Sequence, residues 1–251
     1  MESGGLVRRG VVNEIVGLGP QLGMGIMVAY RSALKWVLVV GVAVALGVVA
    51  VGCNVIGVIS RAAPSPIIKA AYTGMAGQKV GVMVWTDRAM AIDWPTLQLD
   101  LARGINGRLD LKSKEKNHPK ELEGTTFVMP ESVLRFQRDH PETETQSITD
   151  VAPRMDITRL IYIEVEQFST QPGESNDLLR GSINANLKVI EIANGHGKIA
   201  FQKEGIAIKY PEKGQPEGSP NLNPLTVYEE TIKAFSTEVV HQFVPYQEEQ
   251  W

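Results

Sequence analysis

Cysteine is almost missing. The 251 residues hold one, Cys53, so no disulfide can form within the chain and an exported domain must be held by its core. Histidine is scarce too: His118, His140, His196 and His241 stand far apart in polar contexts with no spacing such as HExxH, so no metal centre is expected. No GxGxxG or GxxxxGKS/T loop occurs, and Ser132, Ser147 and Ser182 lack the GxSxG setting of a nucleophile elbow. No cofactor is expected. The formal net charge is −3 with no basic block, which speaks against nucleic acid as a partner. Charge disappears altogether from the 17 residues Trp36 to Gly52, and there the sequence says most.

That run is apolar, follows Arg31 and Lys35, and ends in Ala50-Val51-Gly52-Cys53. A basic start, an apolar middle and small residues before the cut are the three parts of a signal peptide. A peptidase that cuts before a lipid-modified cysteine needs narrow side chains just ahead of it, so cleavage is expected between Gly52 and Cys53, with palmitate-type acylation of Cys53. The signal is complete without the first 26 residues, so Met27, or less well Met24, is expected as the true start in place of Met1. The alternative is an uncleaved transmembrane anchor, which takes roughly 20 apolar residues to cross ~30 Å of hydrocarbon. Extended through Ile59, the run is long enough for that. One acyl chain anchors marginally and two or more anchor stably, so a fully acylated Cys53 would hold the chain on the membrane. Asn54, not Asp, follows the cysteine, which by resemblance to the sorting rule of enteric bacteria implies the periplasmic face of the outer membrane.

Cleavage removes 52 residues and leaves 199, enough for one domain with an ordinary core. The removed part carries Arg8, Arg9, Arg31 and Lys35 against Glu2 and Glu14, leaving 21 basic and 26 acidic residues. The expected organisation is a leader and signal at 1–52, a lipidated tether and lead-in at 53–77, an α/β domain at 78–245, and a frayed tail at 246–251.

Within the domain, Lys79 to Trp85 is apolar on both alternating faces and reads as a central strand. Asp93-Trp94-Pro95 looks like a helix start, followed by Leu97, Leu101, Ile105 and Leu109 at steps of four. Gly104 and Gly107 read as lying near the end of that helix, and Lys112 to Gly124 as a charged loop. Thr125 to Met129 reads as a short strand stopped by Pro130, and Ser132–Arg138 and Ser147–Met155 as short connecting helices. Arg159 to Phe168 alternates Ile161, Ile163 and Val165 against Leu160, Tyr162, Glu164 and Glu166, a strand whose second face turns wet toward its end. Ser182 to Val189 alternates most cleanly of all. Asn194-Gly195 then closes a hairpin with a slightly long loop, and Gly205 marks a bulge in the returning strand. A last helix opens at Asn223-Pro224 and carries Val227, Thr231, Phe235, Val239 and Phe243 at steps of four, beside Ile232. The expected fold is α/β: a single mixed sheet of about five strands with helices packed on it.

This order of elements, with phrases such as KVGVMVW and VAPRMDITRLIYIEVEQF, resembles the periplasmic α/β domain shared by TolB N-terminal regions, the curli secretion lipoprotein CsgG and the penicillin-binding-protein activator LpoB. The resemblance covers roughly residues 78 to 243 and implies a lipoprotein of the bacterial envelope. A CsgG-like pore would need alternating segments of ~9 to 11 residues to line a barrel. The stretches that would have to insert are instead charged loops such as Lys112 to Glu123, so an assembly lipoprotein of the LpoB kind is the closer likeness.

Few residues suggest chemistry. Glu164 and Glu166 project from one strand face and could divide acid and base roles, but a solvated sheet edge explains them more simply. Trp85 and Trp94 could form an aromatic binding surface or close the end of the core. Ser182, Asn184 and Asn186 could bond a glycan or a partner strand, or merely face water. The expectation is therefore a non-enzymatic, membrane-anchored scaffold or assembly factor with an envelope protein as partner. The alternatives are a subunit of a secretion or transport complex, and a ligand-binding or enzymatic domain using Asp87, Glu164 or Glu166.

Overall fold

Apolar side chains on both faces make Lys79–Thr86 (β2) an interior strand, and it runs parallel between Thr126–Phe127 (β3) and Arg159–Ser169 (β4). In the computed structural model, residues 66–171, 179–212 and 222–247 are described, within a unit that spans Ser65–Trp251. Gly181–Ala193 (β5) and His196–Tyr210 (β6) add antiparallel to β4, giving a five-stranded mixed sheet in the order β3-β2-β4-β5-β6. The fold is thus mixed α/β, as the alternation predicts.

One face of this sheet is covered by two long helices, Leu97–Lys114 (α2) and Pro224–His241 (α5). Leu97, Leu101, Ile105 and Leu109 of α2 are fully buried against Val80, Val82, Val84, Ile161 and Ile163. Each such side chain contributes on the order of 1.5–3 kcal/mol of burial. From α5, Val227, Thr231, Phe235 and Val239 enter the same core, and Phe243, which the sequence places on the helix, joins them from the turn just after its end. Asn223 caps α5, its Oδ1 accepting from the Leu225 N–H at 2.8 Å, with Pro224 in the first turn.

Several boundaries differ from the sequence reading. Asp93-Trp94-Pro95 does not open the long helix. A short helix, Arg88–Asp93 (α1), ends there, capped by Asp87, whose carboxylate accepts from the Met90 N–H at 2.7 Å. The long helix runs on to Lys114, so Gly104 and Gly107 are interior and the expected charged loop from Lys112 begins as helix. Gly104 is the point of close approach to α5: a Cβ there would lie 2.4 Å from Ser236 Oγ. The 3-10 turn Lys120–Leu122 buries Leu122, and only Thr126–Phe127 of the expected second strand pairs.

The hairpin is tighter than expected, because Ala193 pairs with His196 and Asn194-Gly195 alone make the turn, both with positive φ (53° and 78°). The folded unit also begins before residue 78. Ile67–Ile68 (β1) pairs antiparallel with Tyr246–Gln247 (β7), and Tyr72 and Met75 are buried in the main core. Tyr72 is held by Glu191 at 3.0 Å and by Arg159 Nε, which donates to its hydroxyl at 3.1 Å. Burial first, and the Glu191 carboxylate next, push the Tyr72 phenol pKa up.

A half-covered sheet face and its groove

The second face of the sheet is only partly roofed. Pro130–Asp139 (α3) and Ile148–Val151 (α4), with the 3-10 turns Pro141–Thr145 and Ala152–Arg154, lie over its near end. There they bury Met83, Leu160 and Ile190 beneath Val133, Ala152 and Ile157. The hairpin passes close under α4: a Cβ on Gly197 would meet the Thr149 carbonyl oxygen at 2.3 Å. Toward the far end of β4 this cover stops. Alternation along β4 and β5 then places Glu166, Asn184 and Asn186 on this face beyond the cover, with Glu164 and Lys188 at its edge, where they share a lining with residues of α3 and α4.

These polar groups are organised. Glu166 occupies a bulge in β4 and accepts from Asn184 Nδ2 at 2.8 Å and from Asn186 Nδ2 at 2.7 Å. Asn186 Oδ1 accepts in turn from the Gly205 N–H at 3.0 Å. Gly205 lies at a bulge in β6 with φ +64°, as expected from its sequence position. Glu164 faces Lys188 Nζ at 3.5 Å, and Lys188 in turn sits 6.0 Å from the centre of the Tyr162 ring. Burial first, and then the neighbouring Glu164 charge, raise the Tyr162 phenol pKa. The two acids do share a face, as the spacing predicts, yet Glu166 is engaged by amides and Glu164 by an ammonium.

Where roof and open face meet there is a groove of about 790 Å³. Its base is Met83 and Trp85 of β2 with Tyr162 and Glu164 of β4, and Leu134, Gln137 and Arg138 of α3 line one side. Gln137 is fixed by donating from Nε2 to the Val84 carbonyl at 3.1 Å, which also caps a β2 edge that β3 is too short to pair. Arg88 at the start of α1, Glu144, Ile148 and the edge-strand residue Ile199 complete the lining used below.

The other sequence candidates fall elsewhere. Trp94 is on the opposite face, stacked on Tyr228 at 5.7 Å and edge-on to Phe168 at 5.0 Å, so the two tryptophans form no common surface. Asp87 is a helix cap and Ser147 caps α4. His140 pairs with Glu142 at 3.1 Å, and among the described residues no group of three ligand-type side chains could hold a metal. Gly52, Cys53 and the apolar run before them lie outside the described residues. Arg88, Arg138 and Gln137 carried no sequence signal, because isolated polar residues at helix ends are usually solvated.

No family model matches the chain, and no curated protein matches it. It is similar to several solved structures. These include the PelC dodecamer from Paraburkholderia phytofirmans, at 10% identity and a TM-score of 0.39 over 74% of this chain and 99% of that one. The hypothetical protein CT253 from Chlamydia trachomatis is 11% identical with a TM-score of 0.40, over 67% of this chain and 98% of that one. Lipoprotein GNA1162 from Neisseria meningitidis is 12% identical with a TM-score of 0.39, over 65% of this chain and 96% of that one.

Proposed function

We propose that the chain is an envelope lipoprotein, anchored through acylated Cys53, that serves without catalysis of its own as a scaffold or assembly factor and binds an envelope protein through the half-covered sheet face. The observation that carries the anchor is Arg31 and Lys35, then the uncharged run Trp36 to Gly52, then the small-residue approach to the one cysteine. The order of elements supports kinship with the TolB, CsgG and LpoB group. The binding face is supported by the uneven roof: α2 and α5 bury the central strands on one side of the sheet, while the other side ends in an open groove with an aromatic base. Exposed concave surfaces of mixed polarity are where partners dock.

Thirteen residues lie between Cys53 and Ile67, a span of up to about 3.3–3.6 Å per residue if extended. That reach lets the domain stand off the bilayer toward a partner. Radiolabelled palmitate should enter the wild-type chain and not Cys53→Ser, and the variant should leave the membrane fraction. Equal labelling of both would remove the lipid anchor from the account.

A further inference from the structure

We infer that the groove receives a protein segment carrying one large apolar side chain flanked by carboxylates, a description of the partner that rests on the binding-face reading above. The base provides for the apolar part. Trp85 is half-buried and makes no ring contact among the described residues, unlike Trp94, which has two. Around it lie Tyr162, Leu134, Ile148 and Ile199, the last 41% exposed although strongly apolar. A volume of about 790 Å³ has room for a side chain of any size together with some of its backbone.

The charges provide for the flanks. Arg88, Arg138 and Lys188 line the groove against Glu144 and Glu164. Lys188 and Glu164 face each other at 3.5 Å and largely neutralise one another. Arg88 and Arg138 have no ion pair or side-chain hydrogen bond with any described residue, and both are exposed. Two free guanidiniums beside one free carboxylate make a locally cationic rim on a chain of net charge −3. Guanidinium groups bind carboxylates bidentately and select for them at an interface. A neutral oligosaccharide fits less well, because it would leave the Arg88 and Arg138 guanidiniums without a counter-charge.

The test uses the full-length chain, purified in detergent, as bait for a random phage-displayed peptide library. Enriched sequences should carry Trp, Phe or Leu beside Asp or Glu. A synthetic peptide of the enriched type should bind about tenfold more weakly, or worse, to the Arg88→Glu, Arg138→Glu double variant, and its affinity should fall with added salt. Trp85→Ala should weaken it independently. Both arginines are exposed, so thermal unfolding of the double variant should match that of wild type. The inference is overturned by a lack of enrichment, by enrichment of basic peptides, by an affinity indifferent to the charge reversal, or by binding of a chitin tetrasaccharide in place of peptides. Any of these, with Cys53-dependent membrane location intact, would leave the anchored-factor reading standing.

Discussion

Asn186 Oδ1 accepts a hydrogen bond from the backbone N–H of Gly205 at 3.0 Å, so a side chain of β5 occupies the gap that the β6 bulge opens in the ladder. The same amide donates to Glu166 at 2.7 Å, at the bulge in β4 on its other side. One residue thereby joins two irregularities on neighbouring strands, and both turn the sheet where the helical roof ends. Asn186→Ala should cost about 1 kcal/mol in urea unfolding, since the groups it leaves can reach water. Asn186→Asp should cost more, because it sets a second carboxylate against Glu166. An equal effect of the two substitutions would mean that the Glu166 contact is not formed.

The two long helices meet at Gly104, where an added Cβ would come 2.4 Å from Ser236 Oγ and 3.3 Å from Ser236 Cβ. Ser236 is fully buried and its hydroxyl has no hydrogen-bond partner among the described residues. Gly104→Ala should therefore destabilise the domain by about 1–3 kcal/mol through overpacking, against its gain in helix propensity. Ser236→Ala should be close to neutral, and the double variant should recover most of the loss. Strict additivity in this cycle would place the cost of the alanine somewhere other than at the helix crossing.

Acid sensitivity should come in part from Glu238. Its carboxyl is held below the usual value of 4.5, first by the His241 side chain and then by Lys203 at 3.4 Å, against an opposing effect of burial. A carboxylate with a depressed folded-state pKa contributes stability that is complete above its unfolded value and is lost as pH falls through the folded one. Thermal midpoints measured from pH 7 down to acid should fall less steeply for Glu238→Gln than for wild type, from a lower plateau near neutrality. Parallel curves would show that the carboxylate is not coupled to folding.

Much of the framework was legible in residues. The four-step leucines of α2 and the stripe Val227, Thr231, Phe235 and Val239 in α5, continued by Phe243 just past the end of the helix, are fully buried where periodicity put them. The split character of β4, core on one face and increasingly wet on the other, follows from Ile161, Ile163 and Val165 alternating with Tyr162, Glu164 and Glu166. What misled were local signals settled by tertiary contacts. Asp93-Trp94-Pro95 imitates a helix start, but Trp94 is drawn onto Phe168 and Tyr228, and α2 starts afterwards without a side-chain cap. Gly104 reads as a terminator in sequence and becomes intelligible once Ser236 of a distant helix is beside it. The polar face was visible from alternation. The groove was not, since its sides come from α3, α4 and β6, and nothing in the order of residues tells that Arg88 and Arg138 line one cavity.

The central claim is that an anchored domain holds an envelope protein by the half-covered face, and site-specific photo-crosslinking in living cells tests it most directly. A photoreactive amino acid replaces Ile199 at the groove in one strain and Leu111, an exposed residue on α2, in another. The account predicts a discrete protein adduct from position 199 that is absent from position 111 and is lost when Cys53→Ser is added. No adduct from the groove, or the same adduct from both positions, would contradict it.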